Sequence, residues 1–283
     1  MEKDKKIAVL IDADNVSEKY IKYIIDEISN HGMPTYKRIY GDWTKPNLAS
    51  WKSVLLNYSI TPIQQYNYTT GKNSTDAALI IDAMDILYSG NVDGFCIVSS
   101  DSDFTKLAAR LREAGMYVIG MGEKKTPTPF IAACEKFKYL EVLADMAASI
   151  TSATAAASRP TENKKTAKEK QKQSGAGGQK QEEPKPEEPK QEEVKPEELK
   201  LGIIPKNKMI EVIKAIIAEI SDEDGWAFMG KLGDTLNKRY PDFDTRNYGF
   251  TKLTPFLKSL NRFEIRSDKT SNPSISLKYI KNT

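Results

Sequence analysis

Histidine and cysteine are scarce in this chain of 283 residues, which has one histidine and two cysteines. The histidine, His31, lies in the segment SNHGMP, which is typical of the end of a helix followed by a turn. Mechanisms that need two histidines are therefore excluded, and mechanisms that pair a serine or cysteine with a histidine are disfavoured. If the protein is an enzyme, its chemistry must rest on carboxylates, lysines or a metal ion.

The two cysteines, Cys96 and Cys134, are far apart, and neither belongs to a Cys-x-x-Cys motif or a cysteine–histidine cluster. This pattern argues against a disulfide framework or a zinc site and predicts reduced, buried thiols. The amino terminus contains an apolar run of only five residues, IAVLI, which is too short for a signal peptide or a membrane span. We therefore expect a cytoplasmic protein with no membrane partner.

Charge is nearly balanced over the whole chain but not along it. Residues 1–145 contain 17 Lys and Arg against 19 Asp and Glu, whereas residues 201–283 contain 14 against 10. A slightly acidic first part and a basic last part predict separate tasks, with attraction for a polyanion at the C-terminal end.

Short apolar runs alternate with amphipathic stretches in the first part of the chain. Strands are predicted at 7–11, 35–40, 60–67, 95–100, 116–121 and 139–143, and helices at 17–29, 47–57, 75–88, 104–114 and 129–136. Such alternation predicts an α/β fold, in which helices cover both faces of a parallel sheet.

The composition then changes sharply. Residues 148–202 are rich in Lys, Glu and Pro, with repeats such as EEPKPEEPK. Such a segment cannot bury enough apolar surface to offset its ordering entropy, so it is predicted to be a disordered linker. The linker divides the chain into a first domain at residues 1–147 and a second at residues 203–283.

Apolar periodicity returns in the second domain. Helices are predicted at 209–220, 226–240 and 250–261, followed by a hairpin made of FEIRS and SISLKYI. Pro255 fits only in the first turn of the third helix, with Thr251 or Thr254 near its cap. Three helices and a two-stranded wing predict a small winged helix-turn-helix.

Four acidic residues are predicted at or beside the carboxyl ends of the strands, where open parallel sheets bind their ligands. Asp12 ends the first strand, Asp101 and Asp103 follow the strand FCIVSS, and Asp76 lies in the first turn of a helix. Carboxylates this close repel one another unless a cation lies between them, and Mg²⁺ or Mn²⁺ prefers such oxygen ligands. The pattern indicates metal-assisted hydrolysis of a phosphodiester.

Several neighbouring residues have two interpretations each. Asp103 could cap the following helix instead of binding metal, and Asn15 could orient water or a ligand carboxylate, or cap the first helix. Asp42 and Trp43 follow the second strand at the same rim, where Trp43 either stacks on a base or is partly buried. Lys72 either meets a phosphate or decorates a loop.

Three motifs resemble the NYN domain of the LabA-like group within the PIN-like nuclease superfamily. They are IDADN (11–15), STDAALIIDAMDILY (74–88) and IVSSDSDF (97–104). The resemblance implies a PIN-like fold and a Mg²⁺- or Mn²⁺-dependent ribonuclease. The acidic positions of that family map onto Asp12, Asp76, Asp101 and Asp103. Some PIN-like domains bind RNA without cutting it, so a non-catalytic RNA-binding regulator is the alternative.

Residues 222–257 resemble an OST-HTH/LOTUS domain. That resemblance implies binding of RNA, including structured or G-rich RNA, or docking of a partner protein. The candidates for the RNA face are Lys231, Arg246, Tyr248, Lys252 and Lys258, each of which could instead be ordinary solvated surface. The oligomeric state, including a homo-oligomer, stays open.

The sequence DAD at the end of the first strand also imitates the DxDxT nucleophile motif of HAD-like phosphatases. Val16 stands where that motif ends in Thr, and no convincing set of Ser or Thr with Lys accompanies it. The phosphatase interpretation is therefore disfavoured.

Overall fold

The computed structural model describes residues 4–66, 74–157, 202–269 and 276–283. Lys72 and most of the predicted linker lie outside these ranges. Within them, no helix combines the length and the apolar character needed to cross a membrane.

A six-stranded parallel sheet forms the centre of the first domain. Its strands are β1 (Lys6–Asp12), β2 (Met33–Gly41), β3 (Thr61–Gln64), β4 (Gly94–Val98), β5 (Tyr117–Gly122) and β6 (Lys136–Tyr139). Their order is β3-β2-β1-β4-β5-β6, and every neighbouring pair is parallel. The predicted α/β fold is confirmed. The chain builds the sheet outward from β1 to β3 and then, on the other side, from β4 to β6.

Helices cover both faces of this sheet. They are α1 (Ile21–Ser29), α2 (Lys52–Leu55), α3 (Ser74–Ser89), α4 (Thr105–Glu113), α5 (Thr128–Ala133) and α6 (Leu140–Ala157), with short 3-10 helices at Glu18–Tyr20, Pro46–Trp51 and Ser102–Phe104. Because successive strand residues point to opposite faces, Ala8 and Leu10 pack with α3, α4 and α5, whereas Val9 and Ile11 pack with α1. Both cysteines are buried free thiols, as predicted.

The last strand of the sheet lies earlier than the sequence predicts. A strand was expected at residues 139–143, but β6 ends at Tyr139 and Leu140 begins α6. In β6, Phe137 is buried whereas Lys136 is only partly buried. Edge strands often carry lysines, and here they interrupt the apolar run by which a strand is predicted from sequence. Helix α6 also continues to Ala157 and therefore enters the predicted linker.

The second domain contains three helices and a small antiparallel sheet. They are α7 (Lys206–Ile220), β7 (Ala227–Phe228), α8 (Met229–Arg239), α9 (Leu253–Ser259), β8 (Phe263–Lys269) and β9 (Ser276–Asn282). The sheet order is β7-β9-β8, which adds one strand to the predicted hairpin. Pro255 lies in the first turn of α9, as expected, but the cap residue is Lys252, without a side-chain cap bond.

The second domain covers the free edge of β6. The backbone N–H of Phe137 donates to the carbonyl oxygen of Pro241 at 2.8 Å, and the hydroxyl of Tyr139 donates to Asp242 at 3.1 Å. An edge strand otherwise presents unpaired backbone groups. The two domains therefore meet along this strand.

A buried carboxylate on α1, Glu27, joins the domains through ion pairs. Arg246 donates two hydrogen bonds to it at 2.7 and 2.8 Å, and the ammonium of Lys138 lies 3.8 Å away. Asp244 accepts hydrogen bonds from both of these cations. Burial acts to raise the pKa of Glu27, but the bonds from Arg246 and the nearby positive charges outweigh it and hold that pKa well below its usual range.

Replacing Arg246 with alanine should destabilise the protein, because the buried carboxylate of Glu27 would keep only the more distant Lys138 as a cationic partner. Removing one member of a buried ion pair costs on the order of 3 kcal/mol. Urea unfolding measures this loss. The matched control is Arg239→Ala, since Arg239 pairs with Glu219 in solvent at 2.6 Å and its loss should hardly move the midpoint. Equal effects of the two substitutions would contradict the role of Arg246.

The same carboxylate predicts a pH dependence. Because the pKa of Glu27 is lowered on folding, its contribution is fully present above the ordinary value of 4.5 and is lost as the pH falls below it. The difference in unfolding free energy between wild type and Glu27→Gln should therefore shrink between about pH 6 and about pH 3.5. Denaturant titrations at both pH values test this, and a constant difference would refute it.

Candidate functional site

Three of the predicted acids meet at the carboxyl edge of the sheet. Asp101 follows β4, Asp103 lies in the 3-10 helix Ser102–Phe104, and Asp76 is in the first turn of α3. One carboxylate oxygen from each lies within 4.8 Å of the others. This arrangement offers three negatively charged oxygen donors from two separate segments of the chain.

Asp12 stands beside this cluster but is not one of its three members. It is fully buried, and its two oxygens accept hydrogen bonds from the backbone of Asp14 at 3.0 Å, from Asn15 at 2.8 Å and from Ser99 at 2.7 Å. Burial raises the pKa of Asp12, and these three bonds counteract part of that rise. Asp12 is thus held by protein donors at the border of the three closely grouped acids, and among the nearby charges its own acts most strongly on Asp76.

Ser99 connects Asp12 to the cluster, although sequence reasoning does not single it out. Its hydroxyl donates to Asp12 and accepts a hydrogen bond from the backbone N–H of Asp101 at 3.1 Å. Gly122 permits this packing, because a Cβ at that position would lie 2.6 Å from the carbonyl oxygen of Ser99. The available signal was a serine at the strand end, in the motif SSDSDF.

The helix cap in this motif is Asp101, not Asp103. The Oδ1 atom of Asp101 accepts a hydrogen bond from the backbone N–H of Asp103 at 2.9 Å, at the start of the 3-10 helix that precedes α4. Asp103 itself is exposed. The capping role considered for Asp103 therefore belongs to its neighbour.

Asp76 experiences the electrostatic cost of the cluster most directly. Burial, followed by the negative charges of Asp12, Asp101 and Asp103, raises the pKa of Asp76 to about 6. The hydroxyl of the adjacent Thr75 is buried and has no hydrogen-bond partner in the described part of the chain. Repelling carboxylates next to an unsatisfied hydroxyl are chemically suited to a cation with oxygen ligands.

Of the four residues with two interpretations at this rim, Asp42, Trp43 and Asn15 have protein partners, and Lys72 lies outside the described residues. Asp42 is buried and accepts hydrogen bonds from Thr44 at 2.6 Å and from Gln64 at 3.1 Å. The indole N–H of Trp43 donates to the carbonyl oxygen of Ile63 at 3.0 Å, and its side chain is partly buried. These contacts fasten the end of β2 to β3. Asn15, by contrast, orients a carboxylate of the site, namely that of Asp12.

Two of the five predicted RNA-contacting residues are occupied elsewhere. Lys231, Lys252 and Lys258 are exposed on the second domain. Arg246 is held in the ion pairs with Glu27, and the hydroxyl of Tyr248 donates to the carbonyl oxygen of Ile204 at 2.9 Å. The Tyr248 ring stacks on Phe256, with their centroids 4.7 Å apart. Arg246 and Tyr248, two of the candidates for the RNA face, are therefore bonded within the protein.

Comparison with known protein families assigns both domains. The profile of the NYN domain matches residues 6–141, and that of the OST-HTH/LOTUS domain matches residues 205–275. No curated protein matches the chain.

Two solved structures are similar to parts of the chain. One is the crystal structure of a protein of unknown function from Vibrio parahaemolyticus, at 19% identity, covering 49% of this chain and 94% of that one, with a TM-score of 0.41. The other is the solution NMR structure of an uncharacterized protein from Nitrosomonas europaea, at 26% identity, covering 34% and 91%, with a TM-score of 0.25.

Substitution of Asp76 by asparagine should raise the thermal midpoint in EDTA at about pH 7.5. With a pKa of about 6, this carboxyl group is ionised there and is repelled by its acidic neighbours. Asp85→Asn removes an exposed acid from the same helix and is the matched control, with little expected effect. Added Mn²⁺ should stabilise wild type more than Asp76→Asn. A lower midpoint for Asp76→Asn in EDTA would disprove the repulsion.

Proposed function

Because the chain is an NYN-domain protein with a C-terminal OST-HTH/LOTUS domain, we propose that it is a divalent-metal-dependent ribonuclease acting on RNA recruited by the second domain. The observation that carries the proposal is the group of three carboxylates within 4.8 Å of one another. Neither family assignment alone specifies catalysis, whereas these side chains offer the oxygen ligands that metal-assisted hydrolysis requires.

Asp76, Asp101 and Asp103 would hold a Mg²⁺ or Mn²⁺ ion. Hard divalent cations of this kind prefer carboxylate oxygens, and their charge would relieve the repulsion that, after burial, raises the pKa of Asp76. When bound, such an ion lowers the pKa of a coordinated water and stabilises negative charge on a phosphoryl group.

Surrounding residues fix the positions of Asp12 and of the backbone at Asp101. Ser99 holds the buried carboxylate of Asp12 and the backbone of Asp101 at once, so it couples β1 to the loop after β4. Asn15 donates the second side-chain bond to Asp12. Such outer contacts orient ligands and tune their basicity. The sole histidine, His31, lies after α1 with its Nε2 atom 3.5 Å from Glu27, so the proposed chemistry rests on carboxylates.

The second domain would supply affinity for the substrate. Its charge is positive, with 14 Lys and Arg against 10 Asp and Glu in residues 201–283. Lys231, Lys252 and Lys258 are exposed and can contact phosphates. Structured or G-rich RNA is the proposed substrate class.

RNA should be cleaved by the full-length protein with Mn²⁺ or Mg²⁺ and not in EDTA. Asp101→Asn should reduce the rate on the order of 100-fold or more, because it replaces a charged carboxylate ligand of the proposed ion with a neutral amide, whose oxygen can still cap the 3-10 helix. Ser99→Ala should reduce it by roughly 10- to 100-fold, as expected for an outer contact. Asp85→Asn should match wild type. Gel analysis of labelled RNA measures these rates.

The outcomes separate the two candidate functions. Cleavage that persists at full rate in metal-free protein, or in Asp101→Asn, would overturn the proposed mechanism. Binding of RNA with no cleavage under any divalent ion would favour the non-catalytic regulator instead. The unfolding midpoint of each variant is measured as well, so that a loss of cleavage caused by unfolding can be recognised.

A further inference from the structure

A groove runs along the junction between the two domains. It consists of two hollows of about 240 and 640 Å³, which border each other at Lys136, Asn237 and Pro241. One wall comes from α4, α5 and β6 of the first domain, and the other from α8 and the segments on either side of Pro241 and Lys252. We call this space the junction groove.

The junction groove is strongly basic. Its cations are Arg112, Lys136, Lys138, Lys238, Arg239 and Lys252, and its acids are Glu135 and Asp244. Lys138 is neutralised by Asp244, and Arg239 by Glu219. Within the described residues, no ion pair involves Lys136, Lys238 or Lys252.

Lys136 lies at the meeting point of the two hollows. Its side chain is partly buried, and burial together with the positive charge of Lys138 lowers the pKa of its ammonium group. A half-buried cation with another cation beside it gains from an anionic ligand. The neighbouring Asn237 provides an amide, which can donate hydrogen bonds to phosphate oxygens.

We infer that the junction groove binds the phosphate backbone of single-stranded segments within the substrate RNA, which deepens the proposed function and rests on it. Cations from both walls, spread over an open groove, suit a succession of phosphates better than one small anion. Among the described lining residues the only aromatic is Phe243, which is buried in the core. The groove therefore offers charge without stacking platforms, so binding should be largely independent of base sequence.

The test is RNA binding by the full chain in EDTA, which separates binding from cleavage. A fluorescent oligo-U RNA is titrated at several salt concentrations with wild type and with the double variant Lys136→Glu/Lys238→Glu, which alters one lysine on each wall. The control is Lys22→Glu/Lys208→Glu, which makes the same charge change at exposed positions outside the groove.

The groove variant should bind at least about tenfold more weakly, with a salt slope smaller by roughly 1.4, since each lost single-strand phosphate contact removes about 0.7. The control should change affinity by less than about threefold. The affinity of Lys136→Gln/Lys238→Gln, which only neutralises the two charges, should lie between those of wild type and the charge-reversed variant. This milder variant shows whether the loss of affinity follows the charge and is not caused by misfolding.

Equal losses in the groove variant and the control would overturn the junction groove as a specific site. A loss confined to Lys231→Glu/Lys258→Glu would move RNA binding to the outer face of the second domain and leave the proposed ribonuclease intact. Absence of RNA binding by wild type would overturn the groove, whereas the metal-dependent chemistry would still be judged by the cleavage assay.

Discussion

The candidate active site depends on one constraint of topology, which is that β1 and β4 are parallel neighbours where the strand order reverses. In open parallel sheets, the connections after two such strands diverge and leave a crevice at their carboxyl ends. Asp12 and Asp101 stand at that crevice because they end or follow strands that are buried on both faces. Carboxylates that repel one another are thus kept together by the packing of the sheet, and burial together with this repulsion raises the pKa of Asp76.

A second constraint, the buried carboxylate of Glu27, determines how the domains are arranged. An ionised group inside a protein is costly unless it is paired and hydrogen-bonded, and its strongest partner, Arg246, is supplied by the other domain. The second domain therefore supplies the positive charge that pairs with Glu27 of the first domain, and it also covers the edge of β6. Docking of this kind also creates the junction groove, because Lys136 and Lys238 stand on opposite walls of it.

The central elements of the fold were predictable from sequence, whereas the contacts between domains were not. β1, β4 and α3 are apolar runs whose burial follows from local pattern, so the acids at their ends were placed correctly at one edge. The last strand was predicted at 139–143 and not at Lys136–Tyr139. The reason is that Lys136 and Lys138 interrupt the apolar pattern of β6, whereas Leu140 extends an apolar run beyond its end. Arg246 was assigned to RNA because its partner, Glu27, is 219 residues away in sequence, and no local pattern encodes that pairing.

Docking changes how recruitment of a substrate must work. If the second domain were only tethered, its benefit would depend on linker length through the effective concentration of bound RNA. In the docked arrangement the RNA-binding surface and the carboxylates have fixed relative positions, so binding energy at one can orient a phosphodiester at the other. An acid-lined site repels a polyanion, and a basic groove held by the same framework opposes that repulsion. The Glu27–Arg246 pair would then influence turnover as well as stability, although it lies outside the carboxylate cluster.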